Sequence, residues 1–316
     1  MKELMVVAIG GNAIIKDNAS QSIEHQTAAV KVVVSSLLEM LASDYHLVLT
    51  HGNGPQVGLD LRRAEIAHEY AGLPLTPLAN CVADTQGGIG YLIQQALSNQ
   101  LAKHGEQKAV TVITQVEVDP NDPGFMRPTK PIGAFFSQEQ RDTLLQQHPD
   151  WHFIEDSGRG YRRVVASPAP RQIVEAAAIK ALTRQGFVVI SAGGGGIPVI
   201  RGPQGEYQSV DAVIDKDLST ALLAQEIRAD VLVITTGVEK VCINFGQPNQ
   251  QALHRVSVAQ MTRYMAEGHF PPGSMLPKIA ASLAFLQQGG KRVVITSPEC
   301  LAAALRGETG THIVNT

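Results

Sequence analysis

Short apolar runs alternate with stretches of helical periodicity along most of this chain. Residues 4–9, 47–50, 109–116, 187–192, 231–235 and 292–296 are rich in β-branched and other apolar side chains and too short for helices, so they predict buried strands. Between them, Val30, Val34, Leu37, Leu38 and Leu41 recur at spacings of three and four. Leu218, Leu222, Leu223 and Ile227 do the same, and both sets predict amphipathic helices. A strand that is apolar along its whole length has both faces covered. Its alternation with helices predicts an α/β fold with a mostly parallel central sheet between helical layers.

The rhythm breaks over residues 117–167, which carry Pro120, Pro123, Gly124, Pro128, Pro131, Gly133 and the single tryptophan, Trp151. Residues 153–165 predict a hairpin around Gly158–Gly160. This segment is expected to leave the sheet as a small protruding lid subdomain, the alternative being a surface insertion without a role. No internal repeat or low-complexity segment interrupts the chain. At 316 residues the length allows two domains or one large α/β domain.

Composition narrows the function classes. Hydrophobic residues make up 44% and charged residues 17%, ample for a core. The net charge is −3 and no block of Lys and Arg occurs, which speaks against nucleic acid and anionic membranes as partners. Cys81, Cys242 and Cys300 are odd in number and far apart, a poor disulfide framework or zinc site and a good fit to a reducing cytoplasm. No run approaches the roughly 20 apolar residues of a membrane span. The first residues are too short in apolar character for a signal peptide and carry Glu3, so a cytoplasmic location is expected.

The glycines follow the strands. The predicted strands run into Gly10-Gly11-Asn12, into His51-Gly52-Asn53-Gly54-Pro55 and into Gly193-Gly194-Gly195-Gly196. Ligands of open α/β sheets bind beyond the carboxyl ends of strands. Glycine there lets backbone N–H groups approach an anion, and the next helix adds its positive end. Three such turns predict a ligand with several phosphates. The P-loop pattern is absent, and the Gly52–Gly58 stretch misses the dinucleotide pattern by one position, which leaves nicotinamide chemistry a distant alternative.

Lys216, in Asp215-Lys216-Asp217, stands before a predicted helix, and Lys278 follows Pro277 in a first helical turn. Cations at the positive end of a helix are unfavourable unless an anion is close. Asp217 supplies part of that compensation and a nucleotide phosphate the rest, with both ammonium groups expected to be exposed in the empty protein. Lys130 lies between Pro128 and Pro131 on a segment stiffened to deliver its charge to one place. Asp215 and Asp217 admit readings as metal ligands or a general base. Phosphoryl transfer to an already ionised oxygen needs no base, only positioning and neutralisation of charge, so Asp217 is read as an organiser of the lysines and Asp215 as a helix cap. His51 is read as a structural hydrogen-bond partner. Arg159, Arg162 and Arg163 are candidates for anion contacts or for solvated lid residues.

These motifs resemble those of carbamate kinase, in the amino-acid kinase superfamily. The resemblance rests on Gly10-Gly11-Asn12-Ala13, His51-Gly52-Asn53-Gly54-Pro55-Gln56-Val57-Gly58 and Pro128-Thr129-Lys130-Pro131-Ile132-Gly133. It continues through Arg162-Arg163-Val164-Val165, Ala212-Val213-Ile214-Asp215-Lys216-Asp217 and Gly273-Ser274-Met275-Leu276-Pro277-Lys278, in order, over essentially the whole chain. It implies one domain over 1–316, a three-layer αβα sandwich whose lid spans 117–167, with an acceptor side over 1–205 and a nucleotide side over 206–316. It implies ATP + carbamate ⇌ ADP + carbamoyl phosphate, often run toward ATP, with Mg2+ carried by the nucleotide phosphates, and a homodimer.

By the same resemblance Lys130, Lys216 and Lys278 are catalytic and Asp217 organises them. Gly10, Gly11, Asn12, Gly52, Asn53 and Gly54 hold the phosphoryl group and its acceptor. Gly193, Gly194, Gly195, Met275, Lys216 and Lys278 belong to the nucleotide, as does the segment from Glu239 to Gly246. No protein metal site is implied. Two positions depart from the family pattern: Thr85 stands where Ser is frequent, and Asp211 where Glu is. Many other kinases of this fold carry a lysine on the first strand where this chain has Ala8. Acetylglutamate, aspartate, glutamate or a nucleoside monophosphate as acceptor, and a non-catalytic sensor of nucleotide or carbamoyl phosphate, are the competing readings.

Overall fold

A computed structural model describes residues 2–15, 18–41, 45–103, 105, 108–156, 158–272 and 274–315, without the side chains of Asn12, Asn18, Glu39, Met40 and Leu41. The first strand, β1, spans Glu3–Ile9, β2 spans Tyr45–His51 and β3 spans Ala109–Thr111. They join five further strands in an eight-stranded sheet. Its order is Arg255–Ser257, Thr311–Val314, Arg292–Thr296, Val231–Thr235, β1, β2, Val188–Ile190, β3. All neighbours pair in parallel except Thr311–Val314 against Arg292–Thr296.

The period of the strands decides the layers. On β1, Val6 and Ala8 face one core while Met5, Val7 and Ile9 face the other. Val231–Thr235 divides in the same way, with Leu232 and Ile234 on the first side and Val231 and Val233 on the second. The first core is closed by helices Lys216–Glu226 and Met275–Gln287, through Leu223, Ile279 and Phe285 among others. The second is closed by α1, Ile23–Leu41, and by α3, Leu78–Leu101, through Val34, Leu37, Ile93 and Leu97. The result is a three-layer αβα sandwich.

The apolar run 109–116 is not one strand. It divides into β3 in the main sheet and Gln115–Val118 in a separate four-stranded sheet with Pro170–Ile173, Ile197–Arg201 and Tyr207–Ser209. The break is held at Thr114, whose N–H donates to Gln86 Oε1 at 2.8 Å while its carbonyl accepts from Gln86 Nε2 at 3.0 Å. A side chain from α3 thus replaces the ladder, and apolar periodicity carries no mark of that exchange. The 117–167 segment contains a three-stranded antiparallel sheet of Lys130–Phe136, Tyr161–Val165 and His152–Glu155. The last two form the expected hairpin. Its turn is closed by Asp156 N–H donating to the Gly160 carbonyl, with Gly158 and Gly160 at positive φ.

A third core ties this small sheet down. Ile132 and Val165 pack with Val57 and Leu61 of α2, which spans Gly54–Ala71, and with Leu78 and Val82 of α3. Helix and strand meet backbone to backbone, since a Cβ on Gly58 would lie 2.1 Å from Gly133 N. That contact fixes the strand that begins at Lys130. Gly58→Ala is therefore expected to lower unfolding free energy by about 1–3 kcal/mol, the usual cost of overpacking a closed contact. Urea denaturation checks this, and an unchanged midpoint would mean that the sheet is not seated on α2 as described.

Candidate active site

The carboxyl ends of β1, β2 and Val188–Ile190 lie at one edge of the sheet because the three strands are parallel and in register, Ile9 beside His51 and Leu49 beside Ile190. Their glycine turns therefore meet. Gly52 N–H donates to the Ile9 carbonyl at 3.0 Å, and a Cβ on Gly52 would stand 2.8 Å from Gly11 N. Gly10 N–H donates to Thr235 Oγ1 at 3.1 Å, which links the first turn to the next strand of the sheet. Gly193, Gly194 and Gly195 are buried behind the second turn, and a Cβ on Gly194 would come within 2.1 Å of Asn53 Nδ2. Asn53 in turn donates from Nδ2 to Thr85 Oγ1 at 2.8 Å. The hydroxyl at Thr85, where serine was the more frequent expectation, thus orients Asn53. The Asn12 side chain and Gly273 lie outside the described residues.

Three lysines from distant parts of the chain reach this edge. Lys216 is the first residue of helix Lys216–Glu226, and its Nζ lies 2.5 Å from Asp217 Oδ1. Its side chain runs past the second turn, with Cδ 3.3 Å from where a Gly52 Cβ would be. Lys278, one turn into helix Met275–Gln287, reaches Asp217 Oδ2 at 2.7 Å. Met275 opens that helix and is partly buried against the first core. Lys130, at the start of the small sheet, reaches Asp215 Oδ2 at 2.8 Å. Asp215 is the helix cap that its position predicts, since Oδ1 accepts from Asp217 N at 2.9 Å, but its second oxygen also holds Lys130. That second role had no signal in the sequence, because Lys130 is 85 residues away.

The expectation that the ammonium groups of Lys216 and Lys278 are exposed is not met. Their side chains are only 12% and 16% exposed, and that of Asp217 is 3%. Burial opposes ionisation of Asp217, yet the two ammonium groups outweigh it and hold its pKa below the ordinary carboxylate value. Asp215 is held low in the same way by Lys130. Burial lowers the Lys216 pKa against the pull of Asp217. For Lys278 the attraction of Asp217 prevails over burial and the pKa rises. The arrangement gathers three cations around two carboxylates and leaves one positive charge in excess, which favours an anionic ligand.

His51 is fully enclosed, with Nδ1 3.1 Å from the Gly52 carbonyl, so Nδ1–H donates and Nε2 faces Gly193. Burial pushes its pKa from an ordinary 6.5 down to about 4, helped by repulsion from Lys216. It is neutral at pH 7 and shapes the turn. Below about 6.5 the unfolded chain binds a proton here that the native protein accepts only near pH 4. Stability is expected to fall across that interval by on the order of 3 kcal/mol from this residue. Thermal unfolding at several pH values, wild type against His51→Gln, checks it, and equal slopes between pH 4 and 6.5 would refute it.

The three arginines of the hairpin have different surroundings. Arg159 is exposed and pairs with Asp156. Arg163 pairs with Glu65 at 2.6 Å and stacks on Trp151 at 3.7 Å from the ring centre. Arg162 is 8% exposed and lies beside Gly54. Of the three, only Arg162 is buried.

Comparison with known proteins agrees with this architecture. The amino acid kinase family matches residues 3–297. The chain is 80% identical over 316 residues to the carbamate kinase-like protein YahI of Escherichia coli, covering 100% of both. It is 45% identical over 312 residues to carbamate kinase of Thermococcus kodakarensis, covering 98% of each. Among solved structures, carbamate kinase from Giardia lamblia bound to AMP-PNP superposes with a TM-score of 0.88 at 39% identity, over 99% of this chain and 98% of that one. The chain belongs to the amino acid kinase family, on the branch of the carbamate kinases and carbamate kinase-like proteins.

Proposed function

We propose that this chain catalyses ATP + carbamate ⇌ ADP + carbamoyl phosphate. The observation that carries the reading is the collection of Lys130, Lys216 and Lys278 around Asp215 and Asp217, beside the turns at Gly11 and Gly52. Phosphoryl transfer is catalysed by fixing the reactants in line and neutralising charge on the transferring oxygens. A carbamate oxygen bonds to the γ-phosphorus as the bond to the β,γ-bridging oxygen breaks, and ADP leaves with that electron pair. The acceptor is already an anion, so no base is needed. Lys216 and Lys278 neutralise the transferring group, Lys130 completes its shell from the small sheet, and Asp217 holds the first two apart and in place.

In this reading Gly10, Gly11, Asn12, Gly52, Asn53 and Gly54 offer the backbone and amide donors for the phosphoryl group and acceptor. Gly193, Gly194, Gly195, Met275, Lys216 and Lys278 serve the nucleotide. All four oxygens of Asp215 and Asp217 already accept from lysine or backbone N–H groups, so Mg2+ comes as part of the nucleotide, on its phosphates. The 117–167 segment acts as a lid that carries Lys130, over an acceptor side of 1–205 and a nucleotide side of 206–316 in a single domain. The free thiols of Cys81, Cys242 and Cys300 suit a cytoplasmic location, and among the described residues no helix is long and apolar enough to cross a membrane.

The acceptor follows from β1. A lysine there would bring a cation to the transferring group, but Ala8 is buried and apolar. Lys130 and Lys216 supply the charge instead, and the glycine turns leave room for a very small acceptor. Carbamoyl phosphate with ADP should give fast ATP formation in a coupled assay, and acetylglutamate, aspartate, glutamate or UMP with ATP should not. A faster rate with acetylglutamate or UMP would overturn the acceptor and leave only phosphotransfer. In the same assay, Lys216→Ala and Lys278→Ala should each cut turnover by at least about a hundredfold. Each should also lower the melting temperature, since each leaves buried Asp217 short of a cation.

We also propose a homodimer. Ile66, Tyr70, Leu73 and Leu75 are exposed on the end of α2 and the loop after it, a concentration of apolar surface that a second copy would cover. Sedimentation should give twice the chain mass for the wild type and the monomer mass for Leu73→Asp with Leu75→Asp. A monomeric wild type would remove the proposal.

A further inference from the structure

Arg162 is the buried cation that the lysine cluster does not use. It lies on strand Tyr161–Val165, next to the strand that begins with Lys130, and is 8% exposed. Its Nη1 donates to Asp156 Oδ2 at 3.2 Å, and Asp156 is shared with Arg159. Its Nε and Nη2 have no hydrogen-bond partner. A guanidinium carries five donors in a planar fork, and leaving two of its nitrogens unpaired in a buried position is costly. Burial drives the Arg162 pKa below its ordinary value, against Asp156. The Phe135 ring supports the guanidinium from one side, 5.1 Å from its centre.

The unpaired edge points at the second glycine turn. Where a Gly54 side chain would begin, the nearest atoms are Arg162 Nη2 at 3.7 Å and the Pro131 carbonyl oxygen at 3.8 Å. Gly54 opens the 18-residue helix α2, whose first N–H groups and dipole favour an anion at the same point. Two independent features therefore converge, an anion-favouring helix end and a buried guanidinium with free donors. The lysines, by contrast, are collected around Asp215 and Asp217.

We propose that Arg162 binds the acceptor, and that its free Nη2 and Nε donate to the carboxylate-like group of carbamate or, in the reverse direction, to the carbonyl end of carbamoyl phosphate. This rests on the carbamate kinase reading above. A planar fork of donors matches a planar carboxylate, whereas an ammonium is a point charge. Bound carbamate lies in the plane of the fork, and the Arg162 donors keep hold of one of its oxygens while the other turns to form the bond to the γ-phosphorus. The bridging oxygen leaves with ADP, and Arg162 neither gains nor loses a proton. The assignment also gives the lid a second task, since Lys130 and Arg162 are carried by adjacent strands of one sheet and reach the site together.

The test is steady-state ATP formation from ADP and carbamoyl phosphate by the full chain, wild type against Arg162→Gln and Arg162→Lys, with folding followed by circular dichroism. KM for carbamoyl phosphate should rise about ten- to a hundredfold in Arg162→Gln, as for the loss of a hydrogen bond to a charged group. It should rise less in Arg162→Lys, which keeps the charge beside Asp156 but loses the fork. KM for ADP should stay within about twofold of wild type, because an acceptor contact is separable from nucleotide binding. An unchanged KM for carbamoyl phosphate in either folded variant would overturn the assignment while leaving the carbamate kinase reading intact. Equal rises in both KM values would mark a structural role and overturn it too. If the wild type itself forms no ATP, the underlying reading fails first and the assignment falls with it.

Discussion

Two carboxylates, Asp217 buried and Asp215 half-buried, hold the lysine cluster together. Like charges repel, and three ammonium groups drawn to one edge of a sheet would separate unless anions lay between them. Asp217 takes one lysine on each oxygen, and Asp215 takes the third while capping the helix from which Asp217 projects. The three cations come from a helix start, a second helix and a separate small sheet. The network therefore joins three parts of the fold, and its excess of one positive charge is what a phosphorylated ligand can neutralise. Removing one partner would leave an uncompensated charge in a low-dielectric setting, which costs far more than an exposed ion pair contributes.

The glycine turns have a second physical role besides approach to a ligand. Gly52 touches Gly11, Gly194 touches Asn53 and Gly193 touches His51, so each turn is shaped by the absence of a side chain on the next. A neutral, buried His51 closes this packing from within. The three turns are consequently closely packed against one another at this edge. The same economy of side chains recurs at Gly58 and Gly133, where α2 carries the small sheet. The sheet seated in this way is the one that carries Lys130 and Arg162.

Much was legible in the sequence by itself. Continuous apolar runs marked six of the eight strands of the main sheet, because burial on both faces leaves no polar position to disguise them, whereas the short strands Arg255–Ser257 and Thr311–Val314 at one side of the sheet carry no such run and were not anticipated. Strands Val231–Thr235 and Arg292–Thr296 coincide with their apolar runs. Asp215 before a helix and glycine after a strand are local signals with local causes, and they located the turns and the helix that bear the site. The order of motifs identified the family. What only the tertiary structure decided is non-local. The split of residues 109–116 depends on Gln86, a side chain of α3. The pairing of Lys130 with Asp215, the burial of Lys216 and Lys278, and the singling out of Arg162 among three neighbouring arginines all depend on which surfaces meet. Sequence patterns report what each segment must bury or bend; they do not report the partner, since charge compensation and desolvation are properties of the assembled neighbourhood.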